Sequence, residues 1–174
     1  MVRETESRAA PEPPRHALTA RHVAFASVAL YLLSLALPAI EEVELGIPPN
    51  LGFAILATGF LGFMFLQMGW FANVFWVLGL VFLARRRWKA AAILGALAVL
   101  VAADSFVLYE TGFPSDSGGS LAVTLRYGFY VWWASLWVLA VGAFLLWRRQ
   151  RAAEFPVDGL RSAADFHEEA RHGG

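Results

Sequence analysis

Long apolar stretches separated by short polar ones set the plan of this chain. The stretches that lack Asp, Glu, Lys and Arg are 22–40, 45–84, 90–103 and 127–147. Because about 20 apolar residues cross a bilayer as a helix, the pattern predicts an all-α membrane protein with four transmembrane helices. The predicted helices span about 21–39, 68–84, 90–109 and 126–147.

The apolar run 51–84 is too long for one crossing and too short for two. As one helix it would be about 50 Å long at 1.5 Å per residue, whereas the hydrocarbon core is about 30 Å thick. The sequence therefore predicts a glycine-rich helical segment before the second span, either interfacial or re-entrant. Gly59, Gly62 and Gly69, with Gln67, are the positions where the chain would break. A single long, tilted helix is the alternative.

The polar ends of the chain predict tails. Residues 1–20 carry mixed charge and three prolines, which indicates a disordered cytoplasmic N-terminal tail. Residues 21–147 form the predicted transmembrane domain, and 148–174 the cytoplasmic C-terminal tail. The first apolar run is longer than the core of a signal peptide, so we interpret it as a retained helix. The segments EEVELGIPPN and ETGFPSDSGGS have the composition of loops and turns.

The distribution of positive charge predicts the orientation. Of the 14 Lys and Arg residues, all except Arg126 precede the first helix, separate the second from the third, or follow the fourth. The positive-inside rule then places both termini in the cytoplasm. The cluster ARRRWK at 84–89 is interpreted as an orientation anchor. A polybasic patch for anionic lipid or a partner is the alternative.

Composition argues against most catalytic chemistry. A net charge of zero does not favour a nucleic-acid partner. The absence of cysteine excludes disulfides, thiolate zinc sites and cysteine-ligated iron–sulfur clusters. No histidine stands within a predicted span to ligate a haem, and no phosphate-binding or hydrolase motif is present. We predict no cofactor, no metal site and no enzymatic activity.

Asp104 is the one ionisable residue clearly inside a predicted span. An intramembrane carboxylate is costly and indicates a functional site with a partner. Arg126, at a similar depth in the outer leaflet, is the predicted partner. The polar side chains expected around this pair are Asn73, Gln67, Ser105 and Tyr130. The alternative is that the pair only holds the third and fourth helices together.

The fourth predicted helix carries tryptophans deeper than an interfacial belt requires. These are Trp132, Trp133 and Trp137, and Trp76 lies in the middle of the second helix. They predict either core packing or a pocket for a quinone, carotenoid or lipid tail. The full predicted ligand set is Asp104, Arg126, Asn73, Gln67, Tyr130, Trp133 and Trp137.

Small residues at helical spacing indicate close helix packing. The third helix has the pairs Ala91/Gly95 and Ala92/Ala96. In the fourth helix, Gly128, Ser135 and Gly142 repeat every seven residues. These seams pack within the chain or against a second copy or a larger membrane complex.

Two classes of function follow. The first is a non-enzymatic scaffold or accessory subunit that contacts membrane lipids and associates through intramembrane helix faces. The alternative is small-molecule or lipid binding or transport by the outer-leaflet polar cluster.

Three stretches, YLLSLALPAI (31–40), MGWFANVFWVLGLVFLARRRW (68–88) and GFYVWWASLWVLAVGA (128–143), together resemble a group of small uncharacterised bacterial inner-membrane proteins. The resemblance covers most of the membrane part and neither tail. It implies a fold with four spans and brings no known activity with it. Those proteins often have proline after the residue equivalent to Asn73, where this chain has Val74.

Overall fold

Most of the chain described by the computed structural model is helical. The described residues are 19–42, 48–65, 67–111, 113–114 and 120–154. Their α-helices are α1 (Ala20–Ala36), α2 (Gly52–Thr58), α3 (Ala72–Ala84), α4 (Trp88–Ala102), α5 (Asp104–Thr111) and α6 (Tyr127–Glu154). Residues 1–18 of the predicted disordered N-terminal tail and residues 155–174 of the predicted cytoplasmic C-terminal tail lie outside the described residues.

Two helical stretches are long and apolar enough to cross a membrane. They are Trp88–Val107, which joins α4 to the first turn of α5, and Tyr127–Glu154. Three further apolar helical stretches are shorter, namely Ala20–Ala36, Gly52–Met64 and Gly69–Ala84. The described part of the chain is therefore mostly helical and has two candidate membrane-spanning helices.

The predicted glycine-rich segment is present, and the alternative of one long tilted helix is wrong. α2 ends at Gly59, where a 3₁₀ helix Gly59–Phe65 begins. A second short 3₁₀ helix, Gly69–Phe71, then leads into α3. The chain breaks between the two 3₁₀ helices, at a point where the backbone N–H of Gln67 donates to the carbonyl of Gly62 over 2.9 Å.

α1 and α6 run antiparallel with small residues between them. The Ser27 hydroxyl in α1 donates to the Ser135 carbonyl in α6 over 2.8 Å. A Cβ atom at Gly142 would come within 2.5 Å of Val23, and one at Gly128 within 2.7 Å of the Leu37 carbonyl. The seam predicted on the fourth helix therefore packs against α1, inside the chain.

Three of the four residues of the seam predicted on the third helix are buried, on the other side of α6. A Cβ atom at Gly95 would lie 2.7 Å from the backbone Cα of Ala140. Ala91 and Ala98, on the same face of α4, are fully buried. Ala96, which follows Gly95 in the sequence, is exposed. α4 thus packs against α6 with almost no space between the two backbones.

The prediction that the fold is all-α is wrong at one end of the helices. Strands β1 (Pro38–Glu42), β2 (Asn50–Leu51) and β5 (Val123–Leu125) form an antiparallel sheet in the order β2-β1-β5. A second pairing joins β3 (Phe113–Pro114) to β4 (Ser120–Leu121). Ile40, Val123 and Leu125 are buried beneath the sheet against Phe129 of α6, and this burial favours strands where the polar flanking residues had suggested loops.

The predicted third and fourth spans coincide with the two candidate membrane-spanning helices, and the structure changes details of both. α6 continues past the predicted boundary at 147 to Glu154, because Arg, Gln and Ala are good helix formers. A hydrogen bond from the Gln150 side chain to Glu154 stabilises this last turn. The third predicted helix, 90–109, is interrupted at Ala103, where α4 ends and α5 begins.

The two ends of the helices differ sharply in charge. We call the end with the strands the sheet end, and the end with the α3–α4 turn and the last turn of α6 the turn end. In the described residues, every Lys and Arg except Arg126 lies at the turn end. Arg126 lies at the sheet end, between β5 and α6.

Candidate functional site

A cavity of about 280 Å³ lies near the sheet end, beneath the glycine-rich segment. α1, the β1–β2 region and α6 form its walls, and the segment from Gly52 to Trp70 covers it. Most of the lining is apolar. The polar side chains on its surface come from Tyr31, Ser34, Thr58, Gln67, Trp70, Asn73, Ser105 and Trp132.

Asn73 of α3 is the centre of a hydrogen-bond network at the cavity wall. Its Oδ1 atom accepts from the Tyr31 hydroxyl over 3.0 Å and from the Trp132 indole N–H over 2.9 Å. Its Nδ2 atom donates to the Trp70 carbonyl over 2.8 Å. An indole only donates and a carbonyl only accepts, so these two partners fix the orientation of the amide. One of the two Nδ2 hydrogens has no acceptor among the described residues.

A second network holds the aromatic side chains in place deeper between the helices. The Trp76 indole of α3 donates to the Ser27 hydroxyl over 2.9 Å, and Ser27 donates to the Ser135 carbonyl. The Trp76 ring stacks on the Tyr31 ring with centroids 4.0 Å apart. α1, α3 and α6 are therefore joined by side chains that also fix the position of the Tyr31 hydroxyl.

The covering segment is held by its own polar contacts. The Trp70 indole donates to the Leu56 carbonyl over 2.8 Å, which joins the start of α3 to α2. The side chains of Gln67 and Ser105 form no hydrogen bonds within the described part of the chain. Together with the remaining Asn73 hydrogen, they give the cavity donors and acceptors for a ligand.

The predicted ion pair between Asp104 and Arg126 is wrong. Arg126 forms its ion pair with Glu41 of β1. In the antiparallel pairing of β1 with β5, Glu41 lies opposite Thr124. This pairing brings the side chains of Glu41 and Arg126 together. Asp104 instead accepts a hydrogen bond of 2.6 Å from the Met68 backbone N–H. A carboxylate at this position is stabilised by the partial positive charge at the N-terminal end of the helical run that continues into α3.

The predicted ligand set is divided by the structure. Asn73 and Gln67 line the cavity, as does Ser105 from the predicted surroundings. The residues of the predicted set that do not line it are Asp104, Arg126, Tyr130, Trp133 and Trp137. Tyr130 and Trp137 are 51% and 44% exposed on the outer face of α6. Trp133 packs edge-on against Phe106, and its buried indole N–H has no partner in the described residues.

Sequence reasoning missed Tyr31 as a cavity residue and did not include Trp132 or Trp70 in the ligand set. A usable signal was present in α1. Ser27, Tyr31 and Ser34 follow one another at the i, i+4 and i+7 spacing of one helix face, and all three are buried. A stripe of polar side chains on an otherwise apolar helix indicates a face turned towards other helices.

Comparison with known proteins gives no relative for this chain. No protein-family model, no curated protein and no solved structure matches it. The resemblance to small four-span membrane proteins stays a prediction from the sequence.

Proposed function

We propose that this protein crosses the membrane four times, with both termini in the cytoplasm, and binds a lipid-soluble small molecule in the cavity beneath the glycine-rich segment. The observation that carries the binding role is the cavity itself. It is mostly apolar, and it borders on the fixed Asn73 amide, which has one unused donor. Ligand sites are typically apolar with a few convergent polar groups.

Packing and charge support the four crossings. α1 is 17 residues long, or about 25 Å at 1.5 Å per residue, and it packs along the longer α6. The stretch Gly69–Ala84 packs in the same way against α4, to which the turn at Arg85–Arg87 joins it. The cations at the turn end then face the cytoplasm under the positive-inside rule.

The exposed side of the glycine-rich segment supports an interfacial location. Phe53, Phe60, Phe63 and Met64 are each about half exposed or more. Large apolar side chains in such numbers are covered by another apolar phase in a stable protein. Here the segment lies over the cavity at the outer surface, with these side chains in the lipid.

The lining is suited to binding without chemical conversion. Its polar groups are amides, hydroxyls and indoles. The described residues place no Asp, Glu, His, Lys or Arg on the cavity surface, so the cavity lacks an acid–base pair for proton transfer. We infer that the protein is not an enzyme.

Association with a larger complex or with a second copy has less support. The small-residue seams that suggested it are occupied by contacts within the chain, at Gly95, Gly128 and Gly142. The apolar side chains exposed on α3 and α4 are suited to contact with lipid. The scaffold role therefore stays a prediction.

Filling the cavity tests the proposed binding role. Lipid extraction and mass spectrometry of the protein purified in mild detergent are expected to reveal a bound lipid-soluble molecule. Ile55→Trp, which adds volume at a lining position of α2, is expected to reduce its amount at least tenfold. Phe53→Trp is the matched control, because Phe53 lies on the same helix and is 58% exposed. Equal retention by both variants would contradict the proposal.

The orientation can be measured directly because the chain has no native cysteine. Single substitutions Glu44→Cys and Ser117→Cys are expected to react with a membrane-impermeant maleimide added to intact cells. Lys89→Cys and Ser162→Cys are expected to react only after the membrane is permeabilised. Labelling of Lys89→Cys in intact cells would show that the second and third helices are joined on the outside, and the four-span orientation would be wrong.

A further inference from the structure

A second feature lies at the turn end, far from the cavity. A groove of about 560 Å³ runs between the α3–α4 turn and the last turns of α6. Four cations line it: Arg86, Arg87 and Lys89 from the turn and the start of α4, and Arg151 from α6. We call it the basic groove.

The backbone conformation at Arg86 is unusual for an arginine. Its φ angle is 58°, in the left-handed region. The Arg86 N–H donates to the Leu83 carbonyl and the Arg87 N–H to the Phe82 carbonyl, which is the hydrogen-bond pattern of a Schellman cap. Glycine usually occupies this position because it has no Cβ penalty there. An arginine at this position destabilises the turn relative to glycine. The stability of the turn therefore does not explain why a charged residue occupies its tip.

The charges of the basic groove are not balanced within the described chain. Arg86, Arg87 and Lys89 are exposed, and no carboxylate of the described residues pairs with them. The one acidic side chain on the lining is Glu154, which accepts a hydrogen bond from Gln150. No described side chain caps the N-terminus of α4, whose first residues also line the groove. The groove thus combines cations with uncapped backbone N–H groups, and both favour an anion.

The walls of the groove are aromatic and apolar. Trp88 and Trp147 flank it, and the Arg151 guanidinium lies 5.0 Å from the centre of the Trp147 ring. Ile93 and Ala90 extend the wall along α4. Tryptophan favours the level of the lipid headgroups. In the orientation proposed above, the cations are therefore at the level of the lipid phosphates, and the apolar wall continues towards the acyl chains.

We propose that the basic groove is a binding site for the phosphate headgroup of an anionic phospholipid in the cytoplasmic leaflet. The cations and the α4 N-terminus bind the phosphate, while Trp88, Trp147 and Ile93 contact the upper part of an acyl chain. The site depends on the orientation proposed above and on no part of the cavity. Its binding can therefore fail while the cavity ligand is retained, and the reverse is also possible.

The test uses the full-length protein in mild detergent, with native mass spectrometry and thermal unfolding in the presence of added lipid. Phosphatidylglycerol is expected to bind and to raise the unfolding temperature, whereas phosphatidylcholine, which has no net charge, is expected to do neither. Arg86→Gly is expected to lower phosphatidylglycerol affinity at least fivefold. Its unfolding temperature without lipid is expected to be unchanged or higher, because glycine relieves the left-handed conformation.

Arg85→Gln is the matched control, since it removes the same charge one position away at an exposed residue that does not line the groove. It is expected to lose less than twofold in affinity. Arg151→Gln changes a groove residue on α6, outside the turn, and is expected to weaken phosphatidylglycerol binding as much as Arg86→Gly does. If Arg86→Gly does not fold, Arg151→Gln tests the site in its place. Equal losses in Arg85→Gln and Arg86→Gly would show general electrostatic attraction and overturn the site. Protection by inorganic phosphate alone would show a small-anion site and would also overturn the lipid proposal.

Discussion

Replacing Asn73 by alanine is expected to destabilise the protein by about 2–6 kcal/mol, since each of the two donors left without an acceptor costs about 1–3 kcal/mol. The change removes the acceptor of the Tyr31 hydroxyl and of the Trp132 indole, and the donor to the Trp70 carbonyl. The Tyr31 hydroxyl and the Trp132 indole lose their acceptor, whereas the Trp70 carbonyl still accepts from the Ala72 backbone N–H. Thermal or denaturant unfolding in detergent measures the loss.

The two donors that share the Asn73 oxygen provide the control. Tyr31→Phe or Trp132→Phe alone leaves that oxygen with one hydrogen bond, so each is expected to cost about 1 kcal/mol. The double variant leaves it with none, and its cost is expected to exceed the sum of the two single costs. Additive costs would show that the two hydrogen bonds to Asn73 act independently. An Asn73→Ala variant as stable as the wild type would show that the network contributes little to stability.

The second large effect is expected at the contact between α4 and α6. Gly95→Val places side-chain atoms where the Ala140 backbone already lies, at 2.7 Å for the Cβ alone. A backbone atom cannot rotate away as a side chain can, so the helices must separate. We expect a loss of about 3 kcal/mol or a failure to fold, at the upper end of the usual cost of overpacking.

Ala96→Val is the matched control for this substitution. It introduces the same side chain at the next position of α4, which is exposed. It is expected to change the unfolding temperature little. If Gly95→Val and Ala96→Val unfold at the same temperature, the close approach of α4 to α6 is not present in the folded protein.

The sequence predicted the helices well because their signal is local. Apolar runs and the prolines that end them predicted where α1, α3 and the start of α6 lie. The break before α3 was readable from the run of 51–84 and its glycines. The strands could not be predicted from the sequence, since Pro38–Glu42 contains two glutamates and resembles a loop. Its strand conformation depends on Val123–Leu125, which is distant in the sequence.

The candidate site was partly predicted, and the reason for the errors is geometric. Counting residues along a helix predicts the depth of a side chain, and on that basis Asp104 and Arg126 were paired. Counting does not give the direction in which each side chain points, and strand pairing placed Glu41 next to Arg126. Asn73 was identified because an amide in an apolar helix is conspicuous. Tyr31 was not identified, because its hydroxyl reaches the cavity wall through a contact with Asn73, which is 42 residues away in the sequence.

The pairing of α1 with α6 has a consequence for the order in which the protein is built during synthesis. α3 and α4 are joined by a short turn and can pair as soon as both have left the ribosome. Ser27 of α1 must wait for Ser135, 108 residues later in the chain, and β1 must wait for β5. Until then, α1 can contact only the segments that precede α6, such as α2 and α3, with Trp76 and Asn73 of α3 as its polar partners. The helix that is synthesised first is thus the last to complete its contacts, and we expect the slowest step of assembly to be the arrival of α6 beside it.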